Sequence, residues 1–514
     1  MNEIHASTNG HDPESAVIRF LSDAATYGAS TPVKTIETHI SRIFLVGDRA
    51  YKMKRAVKLP YADFSTPELR LAACRKELDL NRMTAAELYL GVRLITREPD
   101  GCLAFDGAGE MVEAVVEMLR FDQAALLDRM AERGQLTAAL MTATAAEIAR
   151  FHASAPSVHT GGGAANIAGV LAINEAGFRT SHVFSGDEQN RFNAAFREAL
   201  HTHAEELNAR ERDGKVCRCH GDLHLRNIFL ADGEPRLFDC IEFNDQLATV
   251  DVLYDLAFLL MDLVHRGYAG FANLVANRYL DATGDEVGIC LLPFFIALRA
   301  AVRAHVSATA AEMSGNADQG AEARAYFDLA LKCLEPSPPR LVAIGGYSGS
   351  GKSTIAEALG PLVGRAPGAR LLESDRLRKA LHAVSAETRL DPSAYRPEIS
   401  EKVYTELRRR AETILKRGGT VIVNAVYDRA ENRSHIAEAA RVVGVDFTGI
   451  WLAVDTETLR QRVASRFGGP SDATIDVLAH QLAHGSVPED WISINAGRPV
   501  AETIGQILSV LRVE

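Results

Sequence analysis

The chain has 514 residues, of which 47% are hydrophobic and 24% are charged, and its formal net charge is −11. This length predicts two to four domains that each bury a core, and the composition is ordinary for a globular protein. The acidic balance argues against an extended nucleic-acid-binding surface, although it is compatible with a local basic patch.

Cysteine usage and hydropathy predict the compartment. Seven scattered cysteines without CxxC spacing favour reduced thiols over a disulfide framework or a zinc site. Residues 1–29 form a polar segment, and its first 14 residues contain no apolar secretory core. We expect no membrane span, because the most apolar run, residues 253–264, contains Asp255 and Asp262. These features predict a cytoplasmic protein without a membrane partner.

The N-terminal part shows the pattern of a small sheet followed by helices. Residues 38–54 alternate around Gly47-Asp48, which predicts a β-hairpin. Residues 67–90 have helical spacing, 112–119 form a strand and 137–153 a helix; the small residues 161–165 predict a loop. A long helical tract is expected over about 291–334. This plan predicts a two-lobe, protein-kinase-like α+β fold, with an N-lobe at 30–120 and a helical C-lobe at 121–334.

A catalytic-loop motif lies in this C-lobe. Residues 220–227 read His-Gly-Asp-Leu-His-Leu-Arg-Asn, and Asp239 follows a strand-like stretch. Phosphoryl transfer needs a carboxylate that orients the attacking hydroxyl and oxygen ligands that hold Mg²⁺. The spacing predicts Asp222 as the catalytic base, with Asn227 and Asp239 as metal ligands. A polar turn between two strands would explain the residue types but not the two spacings.

These residues resemble the aminoglycoside phosphotransferase family, which writes its loop as HGDxxxxN and follows the metal Asp with D-x-x-x-D. The latter is matched in this chain by Asp251 and Asp255. The resemblance spans about residues 30–330. It implies that His220 and Asp255 support the catalytic loop, and that the acceptor is a hydroxyl of an antibiotic, choline or a sugar-like alcohol.

The remaining kinase parts are expected in the N-lobe. A lysine on the third strand should contact the α- and β-phosphates of ATP and pair with a glutamate of the next helix. Lys52 and Lys54 share one face of a strand, and Lys52 is preferred; Glu77 is its predicted partner, although a solvated helix charge is the alternative. Residues 115–119 are predicted to form the adenine-binding hinge, and we place the contact at Met118.

The acceptor pocket of this half is only weakly predicted. Family members that modify polycationic antibiotics line their cleft with carboxylates. Glu242 and Asp245 follow the metal Asp and are the candidate substrate-binding acids. Ordinary loop charges are an equally good interpretation.

A second phosphate-binding motif follows a proline-rich linker at 335–340. The apolar run 341–344 predicts a buried strand, and the next residues carry Gly-x4-Gly-Lys-Ser. In such a P-loop, backbone N–H groups surround the β-phosphate, Lys352 reaches the β- and γ-oxygens and Ser353 ligates Mg²⁺. The predicted nucleotide-binding residues are Gly346, Ser348, Gly349, Ser350, Gly351, Lys352, Ser353 and Thr354. Residues 341–514 are expected to form an α/β P-loop NTPase fold with a parallel sheet.

The region after the P-loop resembles small P-loop kinases such as gluconate and shikimate kinases, and zeta-type toxins. The resemblance implies that Asp375 orients the acceptor hydroxyl and that Arg378 holds the acceptor. Alternatively, Ser374 or Asp375 caps a helix. The strand at 420–425 carries Asn424 where relatives usually have an Asp that contacts the Mg²⁺ shell through water. Asp375 could then serve the metal shell instead.

A lid is expected near residue 467. Arg462 and Arg466 lie four residues apart on a predicted helix before a Gly-Pro segment, which suits a lid that closes over ATP. A solvated helix surface is the alternative.

The whole arrangement resembles bacterial fusions of an aminoglycoside phosphotransferase-like domain with a P-loop ATP-binding domain. It predicts a bifunctional ATP- and Mg²⁺-dependent phosphotransferase acting on small molecules. The alternative is that one half is a nucleotide-responsive or toxin-like module that regulates the other. A nucleic-acid acceptor is disfavoured by the acidic balance, and a homo-oligomer is compatible with the sequence.

Overall fold

A computed structural model describes residues 13–59, 62–465 and 469–513. The chain folds into two compact units. Unit 1 comprises Met1–His159 and Gly214–Asp255, and unit 2 comprises Thr160–Asp213 and Leu256–Glu514. Unit 2 therefore contains both the 341–514 region and the helices that immediately precede the linker.

The α-helices of the described residues are distributed over both units. In chain order they are α1 (Pro13–Ser22), α2 (Pro67–Ala85), α3 (Leu127–Glu132), α4 (Ala138–Ser154), α5 (Gly163–Arg179), α6 (Gly186–Arg212), α7 (Asp245–Ala248), α8 (Val252–His265), α9 (Ala269–Thr283), α10 (Leu292–Ser314), α11 (Ala317–Leu334), α12 (Lys352–Leu359), α13 (Ser374–Leu381), α14 (Pro397–Lys416), α15 (Ala430–Val443), α16 (Thr456–Ala464), α17 (Ile475–His484) and α18 (Val500–Leu511).

The strands of the described residues fall into one sheet of six strands, one of five and three pairs. They are β1 (Lys34–Glu37), β2 (Ser41–Val46), β3 (Arg49–Lys54), β4 (Lys58–Leu59), β5 (Ala62–Asp63), β6 (Tyr89–Arg97), β7 (Leu103–Phe105), β8 (Glu110–Leu119), β9 (Val216–Arg218), β10 (Ile228–Ala231), β11 (Glu234–Leu237), β12 (Thr249–Asp251), β13 (Arg340–Gly345), β14 (Arg370–Glu373), β15 (Val421–Asn424), β16 (Asp446–Ala453) and β17 (Ile492–Asn495).

Unit 1 is built on the antiparallel sheet β1-β2-β3-β8-β6-β7. The predicted hairpin is confirmed, because β2 and β3 pair around Gly47, which has a φ of 53°. Helix α2 packs on β8 and β6. It ends at Ala85, before the predicted residue 90, because the buried Tyr89 already pairs with Met118 in the sheet.

Two predictions about unit 2 helices were wrong. Residues 161–165 are not all loop, because α5 begins at Gly163 and the side chain of Asn208 accepts from the N–H of Ala164 at 3.0 Å. The tract 291–334 is not continuous. Gly315 takes a left-handed φ of 67° and ends α10, and Asn316 caps α11. Glycine ends helices in this way because it lacks the Cβ that disfavours this conformation.

The C-terminal part of unit 2 is a parallel α/β sandwich, as predicted. Its sheet has the order β14-β15-β13-β16-β17, and every neighbouring pair is parallel. One face of the sheet is covered by a cluster that includes Leu407, Ile414 and Trp451, and the other by a cluster that includes Ile355, Leu359 and Ile507. Helices on both faces are what a parallel sheet requires. The sheet brings the carboxyl ends of β13, β14 and β15 to one edge, where the second candidate site lies.

One helical run corrects the hydropathy expectation. Glu286–Ser314 is long and apolar enough to cross a membrane, but most of its apolar stretch is buried inside the protein. Core helices of globular domains pass the same test. Its burial is that of a core helix.

Candidate active sites

The first candidate site lies in unit 1, on the segment between β9 and β12. Asp222 precedes a single 3₁₀ turn, Leu225–Asn227, and Asp239 follows β11. The side-chain amide of Asn227 donates to the carbonyl oxygen and to Oδ2 of Asp222, each at 2.9 Å. The predicted base and one predicted metal ligand are therefore held in direct contact. The side chain of Asp222 is 39% exposed, so its carboxylate remains accessible.

Asp255 supports this loop from helix α8. Its carboxylate accepts from the backbone N–H groups of Gly221 at 2.8 Å and His220 at 3.2 Å. The ring Nε2 of His152 lies 3.1 Å from the same carboxylate. Gly221 has a φ of 85°, and a Cβ at this position would approach Ala248 and Ile241 to 3.0 Å. A buried carboxylate that binds two loop amides fixes the backbone that presents Asp222.

His220 is completely buried and acts through its ring nitrogens. Nε2 lies 2.9 Å from the carbonyl oxygen of Phe238, and the N–H of Asp222 donates to Nδ1 at 3.3 Å. Burial lowers the pKa of His220, so the ring is neutral and carries its proton on Nε2. His220 thus ties the residue before Asp239 to the loop that carries Asp222.

Lys52 lies at the centre of an ion-pair network. Its Nζ is 2.7 Å from Glu77 and 2.5 Å from Asp239. Burial disfavours the ammonium form, but the carboxylates of Asp239 and Glu77 raise the pKa of Lys52 well above its ordinary value. The structure therefore brings the predicted phosphate-binding lysine, its predicted glutamate partner and a predicted metal ligand together.

Lys54, the alternative lysine, points to a different partner. Its Nζ lies 2.5 Å from the second oxygen of Glu77 and is also ion-paired with Glu242. Despite its burial, the two lysines hold the pKa of Glu77 at about 2. Lys52 contacts Asp239, whereas Lys54 is 1% exposed and completes the buried end of the network. This geometry favours Lys52 as the residue that faces the nucleotide.

The two candidate substrate acids occupy different surroundings. Glu242 is buried against Lys54, and burial raises the pKa of its carboxyl. Asp245 is exposed at the start of α7 and pairs with Lys76 at 2.8 Å and Arg218 at 3.1 Å. Asp245 is the better placed of the two to meet a soluble acceptor, and Glu242 is placed to neutralise Lys54.

Two residues that the sequence analysis did not single out hold the Asp239 segment. Asn81 accepts from the N–H of Cys240 at 2.9 Å, and the hydroxyl of Tyr89 accepts from the N–H of Asp239 at 3.2 Å. Asn81 lies one helical turn after Glu77, so both side chains leave the same face of α2. The i,i+4 spacing of Glu77 and Asn81 was the sequence feature that could have indicated Asn81 as part of the site. Met118, the predicted adenine contact, lies one residue before the end of β8 and packs in the core.

The second candidate site lies in unit 2, where β13 leads through the P-loop into α12. Gly346, Gly349 and Gly351 have φ values of 148°, 88° and 90°. A Cβ on Gly346 would lie 2.5 Å from Oγ of Ser350, and one on Gly349 would lie 2.8 Å from a backbone oxygen. Only glycine is compatible with this tight cradle. Lys352 folds back over it and donates to the carbonyl oxygens of Gly346 at 2.9 Å and Tyr347 at 3.1 Å.

The other predicted P-loop residues lie along the same cradle. The buried Oγ of Ser350 has no hydrogen-bond partner among the described residues. The N–H of Ser348 donates to the side chain of Gln481 at 2.9 Å, a contact that the sequence did not predict. Ser353 and Thr354 lie in the first turn of α12, half-buried and exposed, respectively. The loop and the start of α12 thus offer polar groups of the kind that surround bound phosphates.

Asp375 lies in the first turn of α13, directly after β14. The N-cap of α13 is Glu373, so the alternative that Ser374 or Asp375 caps this helix is wrong. Burial raises the pKa of Asp375, and the charge of Lys352 opposes this effect. Asp375 follows β14 and Lys352 follows β13, so the parallel sheet places the predicted base and the P-loop lysine at the same end of the sheet.

Arg378 is buried one turn after Ser374. Its guanidinium donates to the carbonyl oxygen of Ala394 at 2.7 Å and to Oγ of Ser400 at 3.3 Å, and it lies 4.7 Å from the ring centre of Tyr395. These contacts fix the segment that follows α13. A role as an acceptor clamp stays a prediction, and in this conformation the guanidinium mainly contacts the protein.

Asn424 ends β15 and lies beside Glu373 in the parallel register. Paired residues of neighbouring strands face the same side of a sheet. Asn424 is 4% exposed, and its Nδ2 has no hydrogen-bond partner among the described residues. Relatives usually have an Asp at the position of Asn424. In this chain the neighbouring strand carries a buried acid, Glu373, at the paired position.

The predicted lid is described in part. Nη1 of Arg462 lies 3.5 Å from the carbonyl oxygen of Gly349 and 3.3 Å from that of Ala496. Arg462 therefore contacts the P-loop directly. Arg466 lies outside the described residues.

Both sites contain the hard oxygen donors that Mg²⁺ prefers. In the first site these are the side chains of Asn227 and the half-exposed Asp239. In the second site the candidate donor is the hydroxyl of Ser353, in the first turn of α12. His152, Cys219 and Asp255 also form a compact group of liganding atoms, but Asp255 already binds the catalytic loop.

Comparisons with known proteins match two separate regions of the chain, and the first of these regions includes residues of both units. A family model described as the phosphotransferase enzyme family (APH) matches residues 46–289, and one described as an AAA domain matches residues 341–488. The uncharacterized protein Mb2027c of Mycobacterium bovis is 30% identical over 485 residues, covering 93% of this chain and 95% of that protein. The uncharacterized protein Rv2004c of Mycobacterium tuberculosis matches to the same extent.

Solved structures give lower similarity. A choline/ethanolamine kinase family protein from Mesorhizobium loti is 13% identical with a TM-score of 0.40, covering 63% of this chain and 95% of that one. A sugar kinase from Janibacter is 21% identical with a TM-score of 0.27, covering 34% of this chain and 96% of that one. Taken with the relatives that match over nearly their whole length, the two family models show that the chain belongs to a family that joins a kinase-like phosphotransferase (APH) domain to a P-loop AAA domain.

Proposed function

We propose that this protein is a bifunctional phosphotransferase in which each half transfers the γ-phosphoryl group of ATP to a hydroxyl group of a small molecule. The observation that carries the proposal is that each site pairs a phosphate-binding lysine with a nearby carboxylate. Lys52 contacts Asp239 at 2.5 Å in the first site, and in the second site Lys352 and Asp375 follow the carboxyl ends of β13 and β14 of one parallel sheet.

In the first site, Asp222 is proposed to accept the proton of the acceptor hydroxyl. The hydroxyl oxygen then forms a bond to the γ-phosphorus, the bond from this phosphorus to the β,γ-bridging oxygen breaks, and ADP leaves with that electron pair. Asn227 holds Asp222 in place through its two 2.9 Å contacts. Lys52, kept cationic by Glu77, is positioned to stabilise charge on the α- and β-phosphates.

The second site is proposed to perform the same bond exchange with different parts. The P-loop amides and Lys352 bind the β- and γ-phosphates, and Asp375 accepts the proton of the second acceptor. Arg462, which contacts the P-loop at Gly349, is placed to stabilise charge on the transferred group. A raised pKa makes Asp375 a stronger base than an ordinary aspartate at the pH where it is ionised.

Both halves are proposed to depend on Mg²⁺. Asn227 and Asp239 would hold the ion in the first site, and Ser353 in the second, with Glu373 near the end of the neighbouring strand. When bound, Mg²⁺ would neutralise negative charge on the phosphate oxygens of ATP. Within the protein, the 2.5 Å ion pair with Lys52 holds the carboxylate of Asp239 in position.

The proposal is tested with purified full-length protein, Mg²⁺-ATP and a panel of aminoglycosides, choline, sugars and nucleosides. Phosphorylated products are identified by mass spectrometry. Asp222→Ala is expected to remove one product and Lys352→Ala another. Loss of both products in either single variant would contradict two independent activities, and unchanged products in both variants would contradict both site assignments.

The alternative function is supported by Asn424, which lacks the charge expected next to the metal. Under this alternative the P-loop half binds nucleotide and regulates the first site. The full-length Asp222→Ala variant distinguishes the two functions, because any ATP-dependent product that it still makes comes from the P-loop half. Nucleotide binding at that half without any product, together with a changed turnover of the first site in Lys352→Ala, would favour the regulatory function. A cytoplasmic location stays a prediction.

A further inference from the structure

Strand β14, which carries Asp375 at its carboxyl end, is an edge strand of the unit 2 sheet. It pairs with β15 on one side only. Edge strands leave a row of backbone N–H and C=O groups without strand partners. The other edge of β14 is covered by helix α9, which precedes the linker and lies within residues 46–289 of the matched phosphotransferase model.

Two asparagines of α9 complete the hydrogen bonds of this edge. Oδ1 of Asn277 accepts from the N–H of Leu371 at 2.7 Å. The amide groups of Asn273 and Asn277 donate to the carbonyl oxygen of Ala369 at 2.9 and 3.2 Å. Asn273, Asn277 and Leu371 are all buried. The helix therefore replaces a missing strand for β14.

Arg370, the first residue of β14, forms ion pairs with acids of the segment that covers this edge of the strand. It is 1% exposed and forms a two-pronged ion pair with Glu286, at 2.9 and 2.8 Å, and a further pair with Asp281 at 2.8 Å. Bidentate pairing of arginine with carboxylate fixes both distance and orientation. Removal of one partner from such a buried pair leaves an uncompensated charge. This contact holds the start of β14, at the end of the strand opposite to Asp375.

Arg278 acts at the catalytic end. Its Nη2 lies 2.6 Å from Glu357 and its Nη1 lies 3.7 Å from Glu373. Glu357 is on α12, one turn after Ser353, and Glu373 directly precedes the helix of Asp375. Arg278 is 7% exposed, so its charge is screened little by water. One arginine therefore links the helix that carries the P-loop residues to the strand end that carries the predicted base.

We propose that Arg278, a residue of the phosphotransferase part of the chain, is a positioning residue for the P-loop site. It sets the spacing between α12 and the end of β14, and so between Lys352 and Asp375. The P-loop half then works only with helix α9 in place, which explains a covalent fusion in structural terms. This inference rests on the proposed activity of the P-loop half.

The test uses full-length protein with Asp222→Ala, so that remaining turnover comes from the P-loop half. Arg278→Gln is expected to lower kcat about tenfold with little change in the KM for ATP, because Arg278 positions the reacting groups and does not touch the nucleotide. Arg278→Lys should be intermediate, since an ammonium cannot bridge two carboxylates as a planar guanidinium does. Arg324→Gln is the matched control: Arg324 pairs with Glu188 at 2.5 Å, and both residues precede the linker.

Hydrogen exchange of the same proteins gives a readout that does not require turnover. Arg278→Gln should increase exchange in residues 352–359 and 371–379, whereas Arg324→Gln should not. If Arg278→Gln does not fold, Glu357→Gln tests the same link with the arginine left in place and should produce the same kcat loss and exchange increase. Unchanged kcat and unchanged exchange in a folded variant would overturn the inference.

The proposed activity of the P-loop half can be wrong even if Arg278 positions the two elements. If Asp222→Ala and Asp222→Ala/Lys352→Ala turn over ATP at the same rate, the P-loop half is inactive and the proposed function is wrong for it. In that case the exchange comparison alone decides whether Arg278 positions the two elements. Increased exchange in both segments supports the positioning role, and no increase overturns it.

Discussion

Nζ of Lys52 lies 2.5 Å from Oδ1 of Asp239, so the predicted phosphate-binding lysine and a predicted metal ligand form one ion pair. Glu77 holds the same ammonium at 2.7 Å. The two carboxylates raise the pKa of Lys52 despite its burial, so the lysine stays cationic within a largely buried network. Under the proposed function, Lys52 would contact the phosphate oxygens and Asp239 would hold the metal ion.

Loss of Lys52 should mainly lower turnover, whereas loss of Lys54 should mainly lower stability. Lys52→Ala is expected to lower turnover of the first site at least about 10²-fold, because a preorganised charge on the phosphates is lost. Lys54→Ala leaves Glu242 and one oxygen of Glu77 buried without a cation, so the free energy of unfolding should fall by about 3–5 kcal/mol. Denaturant unfolding and steady-state turnover separate the two effects. Lys58→Ala, at an exposed lysine, is the control.

Equal stability of the Lys54→Ala and Lys58→Ala proteins would contradict the buried role of Lys54. Full activity of Lys52→Ala would contradict its assignment to the nucleotide.

Asp239→Asn should raise the Mg²⁺ concentration required for turnover of the first site and lower the maximal rate about 10²-fold or more. The amide retains the shape of the side chain but removes its charge from both Lys52 and the metal. A Mg²⁺ titration of product formation measures the effect. Asp245→Asn, at an exposed acid of the same unit, should leave the Mg²⁺ dependence unchanged. An unaltered Mg²⁺ midpoint in Asp239→Asn would remove Asp239 from the metal site.

Asn424→Asp should change the second site in two opposite ways. Without Mg²⁺, the new carboxylate lies beside the buried Glu373, so the thermal midpoint should fall through repulsion between like charges. With saturating Mg²⁺-ATP, the added charge should raise kcat by up to about tenfold, the value of one charge-assisted hydrogen bond of ~1.4 kcal/mol. A lower kcat at saturating Mg²⁺ would show that Asn424 is matched to Glu373 and does not limit the site.

The rate of the P-loop half should depend on the ionisation of Asp375. Burial raises the pKa of this carboxyl, so the reactive carboxylate is lost as the pH falls, and at a higher pH than for an ordinary aspartate. The kcat/KM of the Asp222→Ala protein should therefore decrease on the acid side with a midpoint above 3.8. Asp375→Asn should abolish this acid limb along with most of the activity. An acid limb that persists in Asp375→Asn would assign it to another group.

Sequence alone determined the local parts of this protein. The hairpin at Gly47, the strand-loop-helix order of the P-loop and the spacing of Asp222, Asn227 and Asp239 are short-range patterns, and turn chemistry and side-chain periodicity explain them. Predictions failed where a distant contact decides the outcome. Helix α2 ends early because Tyr89 joins a sheet, and α5 begins early because the side chain of Asn208 accepts from the N–H of Ala164.

The tertiary structure decided which charged residues lie next to each other. Sequence spacing places Lys52 and Lys54 on one face of a strand. Only the folded unit shows that Lys52 pairs with Asp239 and that Lys54 pairs with Glu242. The same holds for Glu373 beside Asn424 and for Arg278 between Glu357 and Glu373, since these neighbours lie far apart in the chain. Electrostatic interactions depend on distance in space and on burial, and neither can be read from a local pattern.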